Sequence, residues 1–152
     1  MFLFLRKLLP AAGLILGACA LLGFVFWLQA TGSAAVAAPE VRIVGTKASA
    51  GPLAPGDVVT VTTALRNEGR PLQDLTVELE VHGENSQIVL RAPRRGVKLG
   101  SAQDQTVSWV WRLPTDLPSG SYTTEVSVYG PNWSPLYSRQ EDGASFTVER
   151  RR

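Results

Sequence analysis

The stretch that decides the fold is Leu75-Thr76-Val77-Glu78-Leu79-Glu80-Val81-His82, in which apolar and polar residues alternate without interruption. Successive side chains of a β-strand point to opposite faces of its sheet, so a period of two predicts a strand with one face in a core. The other face is polar and suits contact with water. The stretch therefore predicts an antiparallel sheet that is buried on one side only.

The same alternation continues on both sides of this stretch, between turn signals rich in Gly, Pro, Asn and Asp. It is clearest in residues 59–65, 107–113 and 122–128. We expect strands near residues 40–48, 57–66, 72–82, 86–92, 104–113, 120–130 and 144–150. About seven short strands at this spacing predict an all-β, antiparallel sandwich.

Aromatic residues in two of these strands have expected structural roles. Trp109 and Trp111 share a strand face with Val107, so we expect both rings in the core, where large aromatic side chains are common. Tyr122 follows the tight turn at residues 118–120. This placement resembles the tyrosine corner of sandwich folds, in which the hydroxyl bonds back to nearby backbone.

The segment 113–148, LPTDLPSGSYTTEVSVYGPNWSPLYSRQEDGASFTV, carries a family resemblance. It resembles the C-terminal half of immunoglobulin-like, fibronectin type III-like modules attached to secreted bacterial glycoside hydrolases. Those modules share a Pro-x-Gly-x-Tyr turn, an Asp/Asn-Trp-Ser loop and a final Phe-Thr-Val strand. The resemblance implies an immunoglobulin-like sandwich that acts as a spacer, stabiliser or carbohydrate binder, and we expect it here without an attached catalytic domain.

An uncharged apolar run from Leu8 to Leu28 follows Arg6 and Lys7. As a helix it is about 31 Å long, enough to cross the hydrocarbon core of a bilayer. The basic pair favours a cytoplasmic N-terminus. We expect residues 1–30 to form a cytoplasmic stub and a transmembrane α-helix, 31–39 a short tether and 40–152 the sandwich. The protein is then a single-pass protein of the bacterial inner membrane with a periplasmic domain.

Two alternatives to a retained anchor stay open. The apolar run is a secretory signal peptide if the chain is cut at the small residues near Ala38. It is a lipoprotein signal if Cys19 is lipidated, since the sequence Leu-Gly-Ala before it resembles a lipobox. The anchor is favoured because the run is long for a signal peptide, and because residues 20–27 after Cys19 are apolar and not the polar tether expected after a lipidated Cys.

The charge distribution excludes a nucleic-acid binder. The chain has 15 Lys and Arg and 13 Asp and Glu, and two of the basic residues precede the apolar run. The folded part is therefore nearly neutral, whereas a nucleic-acid-binding domain concentrates basic residues on itself.

The usual groups of a catalytic or metal site are few. His82 is the only histidine, and the folded part contains no cysteine. A hydrolase triad needs a base that a third group orients, and a zinc site commonly needs several His or Cys ligands. Glu78 and Glu80 alternate along an outward strand face, where we expect them to be solvated. The sequence thus predicts no catalytic residues, no metal and no cofactor.

Two segments are candidates for contact with a partner. The loop 129–137 combines rings with Gly and Pro, and rings at a surface suit protein hot spots and sugar stacking. Its candidate residues are Tyr129, Asn132, Trp133 and Tyr137. The alternative is that Trp133 folds back to cap the sandwich.

The second candidate segment is a basic loop predicted around residues 92–96. Its basic residues are Arg91, Arg94, Arg95 and Lys98. Such a cluster can contact lipid headgroups or an acidic partner, and its alternative is an ordinary solvated loop.

These features together predict a non-enzymatic, membrane-anchored accessory subunit. Its partners are the bilayer and a membrane-protein assembly on which the sandwich docks. The alternative function is a carbohydrate-binding module for envelope or external polysaccharide, exported and cleaved near Ala38, with Trp133 and Tyr137 stacking on sugar rings.

Overall fold

The computed structural model of the chain describes residues 41–150. The strands are β1 (Val41–Ala48), β2 (Val58–Asn67), β3 (Leu72–His82), β4 (Ile88–Leu99), β5 (Gln103–Arg112), β6 (Gly120–Tyr129) and β7 (Leu136–Val148). A three-stranded sheet has the order β1-β2-β5, and a four-stranded sheet has the order β4-β3-β6-β7. Neighbouring strands in both sheets are antiparallel, which confirms the predicted all-β class with seven strands.

The predicted membrane helix and tether, residues 1–39, lie outside the described residues. Within residues 41–150 the helices are single turns, Glu84–Ser86 and Pro131–Trp133. Neither of them has the length to cross a bilayer.

The core lies between the sheets and follows the alternation in the sequence. The inward side chains of β3 are fully buried, with Leu75 and Leu79 at 0% exposure. Trp109 is buried as predicted, and its Nε1 donates a hydrogen bond of 2.9 Å to the carbonyl oxygen of Ala92 in β4. Trp111 packs against the core but is only half-buried. The Trp109 bond fastens the edge of one sheet to the edge of the other.

β4 differs from its prediction because it continues to Leu99 instead of ending near residue 92. The expected basic loop is therefore strand. Leu75 pairs with Val97 and Val77 pairs with Arg94, so β4 holds one extra residue there. Gly96 in this bulge has a φ of +72°, a conformation that glycine adopts without strain. The residues that predict a turn are present, but they form a bulge within β4 and do not end the strand.

β7 differs in the same way, because it begins at Leu136 and not near residue 144. Val126 pairs with Gln140, and Thr124 pairs with Ala144. The turn signal at residues 141–143 thus occupies an irregularity within the strand, where Asp142 has a φ of +50°.

The tyrosine corner is confirmed. The hydroxyl of Tyr122 donates a hydrogen bond of 2.7 Å to the carbonyl oxygen of Pro118, four residues earlier. Its ring is buried and stacks on Phe146, with centroids 5.5 Å apart. The bond holds the turn before β6 against the core.

Replacing Tyr122 by Phe removes this hydroxyl and leaves the ring in place. We expect the free energy of unfolding to fall by about 1 kcal/mol, the net value of a typical hydrogen bond. Urea unfolding of the full chain in detergent, followed by tryptophan fluorescence, measures it. Tyr137→Phe is the control, because within residues 41–150 its hydroxyl makes no hydrogen bond. Equal losses in the two variants would show that the corner bond is not the cause.

Candidate functional site

The loop between β6 and β7 is held in one shape by its own backbone. The Gly130 N–H donates a hydrogen bond of 2.8 Å to the carbonyl oxygen of Pro135, which closes the loop. A Cβ at Gly130 would lie 2.5 Å from the carbonyl oxygen of Ser134, so no other residue fits there. Asn132 and Trp133 both have positive φ, at 55° and 67°. Residues 131–135 are all exposed, and Trp133 does not join the core cluster.

The ring of Trp133 lies at the surface and is 38% exposed. It meets the ring of Tyr129 edge to face, with centroids 5.3 Å apart. The guanidinium carbon of Arg95 lies 5.7 Å from the centroid of the Trp133 ring, within cation–π range. The structure thus brings together two segments that the sequence predicts separately. The bulge in β4 contains Arg95 and presents it toward this loop.

A depression of about 440 Å³ adjoins the Trp133 ring. Its lining residues are Asp74, Thr76, Arg95, Gly96, Pro131, Asn132 and Trp133. They combine one aromatic face with a carboxylate, a guanidinium, a hydroxyl and an amide. Asp74 was not among the predicted site residues, since nothing in the sequence places the start of β3 beside this loop. Asp74 has a φ of 56° and lies between Leu72 and Leu75, where the pairing of β3 with β4 is irregular.

The other predicted contact residues lie elsewhere. Tyr137 is half-buried against the core, and no ring contact joins it to Trp133 among the described residues. Arg91 forms an ion pair with Glu80. Arg94 donates a long hydrogen bond of 3.4 Å to the carbonyl oxygen of Ser108, and Lys98 lies exposed further along β4. Of these four basic residues, only Arg95 contacts the Trp133 ring.

The outer face of the four-stranded sheet carries a second group of charges. Glu78 and Glu80, expected to be solvated, have side chains only 9% and 14% exposed. The expectation was wrong because long side chains on neighbouring strands cover them. Arg91 on β4 contacts both carboxylates, at 3.7 Å from Glu78 Oε1 and 2.5 Å from Glu80 Oε1. Arg139 on β7 lies 3.1 Å from Glu125 Oε1 on β6.

Burial raises the pKa of Glu78 above its ordinary value, and the nearby Glu80 and Glu125 raise it further. Arg91 and, more weakly, Arg139 oppose this rise in pKa but do not cancel it. The folded protein therefore disfavours the charged form of Glu78 more than the unfolded chain does.

No family model matches the sequence, and no curated protein matches it. Among solved structures, the fold is similar to the C-terminal domain of Wzt, with a TM-score of 0.64 and 11% identity over 76% of this chain and 77% of that one. It is also similar to part of a family 123 glycoside hydrolase from Clostridium perfringens, with a TM-score of 0.50 and 11% identity over 66% of this chain and 22% of that one. For a β-glucosidase from Erythrobacter marinus the TM-score is 0.52 and the identity 16%, over 73% and 16% of the two chains. At these identities the similarity shows the β-sandwich fold alone.

We expect Glu78→Gln to raise the melting temperature at neutral pH. Because the pKa of Glu78 is higher in the folded state, its stabilising contribution is present below the ordinary value of 4.5 and is lost as the pH rises through the raised pKa. Glutamine has nearly the shape of glutamate but cannot ionise, so the variant does not lose stability as the pH rises. Thermal unfolding of both proteins across the pH range measures the difference, which should shrink to zero in acid. Glu84→Gln, at an exposed position in the neighbouring turn, is the control. A variant less stable than wild type at neutral pH would show instead that the contact with Arg91 dominates.

Proposed function

We propose that this chain is a non-enzymatic accessory subunit of a membrane-protein assembly. Residues 1–30 anchor it in the bacterial inner membrane, and the sandwich, an immunoglobulin-like module of the fibronectin type III kind, docks on the periplasmic side of the assembly. The observation that carries the proposal is the surface formed by Tyr129, Trp133 and Arg95. We call it the Trp133 surface.

Three properties of the Trp133 surface support docking. Trp, Tyr and Arg are the residue types enriched in hot spots of protein interfaces. The closed loop and the edge-to-face contact with Tyr129 hold the ring in place before binding, which reduces the entropy lost on association. The cation–π contact also restrains Arg95. An exposed ring held in a fixed position favours a partner over simple solvation.

The predicted tether supports a partner close to the bilayer. A flexible segment of nine residues has a root-mean-square length of about 17 Å. It keeps the domain near the membrane and gives it a high effective concentration toward proteins embedded beside the anchor.

Site-specific photocrosslinking in the native host tests the docking proposal. A photoreactive residue at position 132 should give an adduct with a membrane protein, whereas one at position 110 should not. Val110 is a suitable control because it is 70% exposed in β5 of the other sheet. Trp133→Ala and Arg95→Ala should each reduce the adduct by about tenfold or more, the loss typical of a hot-spot residue. An equal yield from positions 132 and 110, or an adduct that survives both substitutions, would contradict docking through this surface.

Carbohydrate binding is a second candidate function, and the composition of the depression favours it. Asp74 and Asn132 offer planar hydrogen-bonding groups beside the Trp133 ring, and aromatic faces with such groups are typical of sugar sites. In this case the partner is an envelope or external polysaccharide.

Affinity electrophoresis on a panel of polysaccharides tests the second candidate. Glycan binding should slow the full chain in a gel that contains the bound polysaccharide, and Trp133→Ala should restore its mobility. Val110→Ala should behave like the wild type. Unchanged mobility on every polysaccharide would remove this candidate and leave the docking proposal untouched.

A further inference from the structure

We propose that Glu80, His82 and Glu125 form a binding site for a divalent transition-metal ion, with Zn²⁺ as the best match. The donor atoms of these three side chains lie within 4.8 Å of one another on the outer face of the four-stranded sheet. This proposal is independent of the Trp133 surface, with which the site shares no residue. It departs from the sequence prediction of no metal site.

The strand register creates the site. Glu80 on β3 pairs directly with Glu125 on β6, so the two carboxylates lie side by side on one face. His82 follows two positions later on that face of β3. Two like charges in directly opposed positions destabilise a sheet unless something compensates them. Arg91 and Arg139 each pair with one of these carboxylates, and a dication between the two would add a compensation that both share.

The imidazole of His82 provides an independent indication. Its Nε2 atom is buried and makes no hydrogen bond within the described residues. It lies 3.4 Å from Glu80 Oε2, and the His82 side chain as a whole is 20% exposed. A buried nitrogen that makes no hydrogen bond carries a desolvation penalty. A metal ion would use its lone pair.

Both carboxylates have the outer contacts that metal ligands commonly have. Arg91 contacts Glu80 through Oε1, while Oε2 of the same carboxylate faces His82. Arg139 contacts Glu125 through Oε1. Hydrogen bonds from such second-layer groups fix the orientation of ligating carboxylates. The arginines thus hold the ligands without occupying the oxygen that faces His82.

The surroundings favour a cation with room for water. A depression of about 320 Å³ adjoins the site, and its lining includes His82, Glu125, Glu141 and Asp142. One imidazole and two carboxylates form a mixed nitrogen and oxygen set that suits Zn²⁺, with water in the fourth position. Ca²⁺ and Mg²⁺ prefer oxygen ligands alone. The chemistry therefore selects a transition metal.

Calorimetric titration of the metal-free full chain with ZnCl₂ tests the proposal. The protein should carry Cys19→Ser and a tag without histidine, so that His82 remains its only strong nitrogen or sulfur side-chain donor. We expect one Zn²⁺ per chain, and His82→Ala and Glu125→Gln should each weaken binding by at least about tenfold. Glu84→Gln is the matched control for loss of a nearby carboxylate and should bind as the parent does.

A second measurement tests the site without a substitution in it, so that the proposal can be tested even where His82→Ala or Glu125→Gln fails to fold. In the Cys19→Ser parent, Zn²⁺ should protect His82, the single histidine, from modification by diethylpyrocarbonate, and Ca²⁺ should not. Circular dichroism reports whether each variant remains folded. Absence of Zn²⁺ binding by the parent, binding that His82→Ala leaves unchanged, or equal protection by Ca²⁺ would each overturn the proposal.

Discussion

Strand β3 pairs with β4 on one side and with β6 on the other, and its two faces lie in opposite environments. Its inner face supplies Leu75 and Leu79 to the centre of the core. A shift of one residue would exchange these faces and turn the glutamates toward the core. The same register sets Glu80 beside Arg91 on one neighbour and Glu125 on the other. Core packing therefore fixes the arrangement of charges on the outer face.

Much of the fold could be predicted because alternation is a local property. The period of two identified seven strands, and the turn before Tyr122 identified a corner whose hydrogen bond the structure contains. The position where β4 ends and the position where β7 begins could not be predicted in the same way. Gly96 and Asp142 adopt the positive φ values of turn residues. Whether such residues end a strand or bend it depends on the strand paired with them, and local sequence does not contain that information.

The candidate site was predictable in its parts and not in its assembly. Trp133 and Arg95 were both predicted as contact residues, but in two separate segments. Their meeting depends on the bulge in β4 and on the shape of the loop after β6. Asp74 joins them from a third segment. The contact of Arg91 with Glu78 was missed for the same reason, since it depends on cross-strand neighbours.

The shape of β4 also limits how a partner can bind. β4 is an edge of its sheet, and a regular edge invites another chain to add a strand through backbone hydrogen bonds. Pro93 has no N–H to offer, the bulge at Gly96 interrupts the spacing, and the Trp109 bond uses the carbonyl of Ala92. These features oppose β-augmentation along this edge. A partner that binds at this edge therefore has to contact side chains. Binding can then be selective for the partner's surface and does not require that the partner offers a free strand.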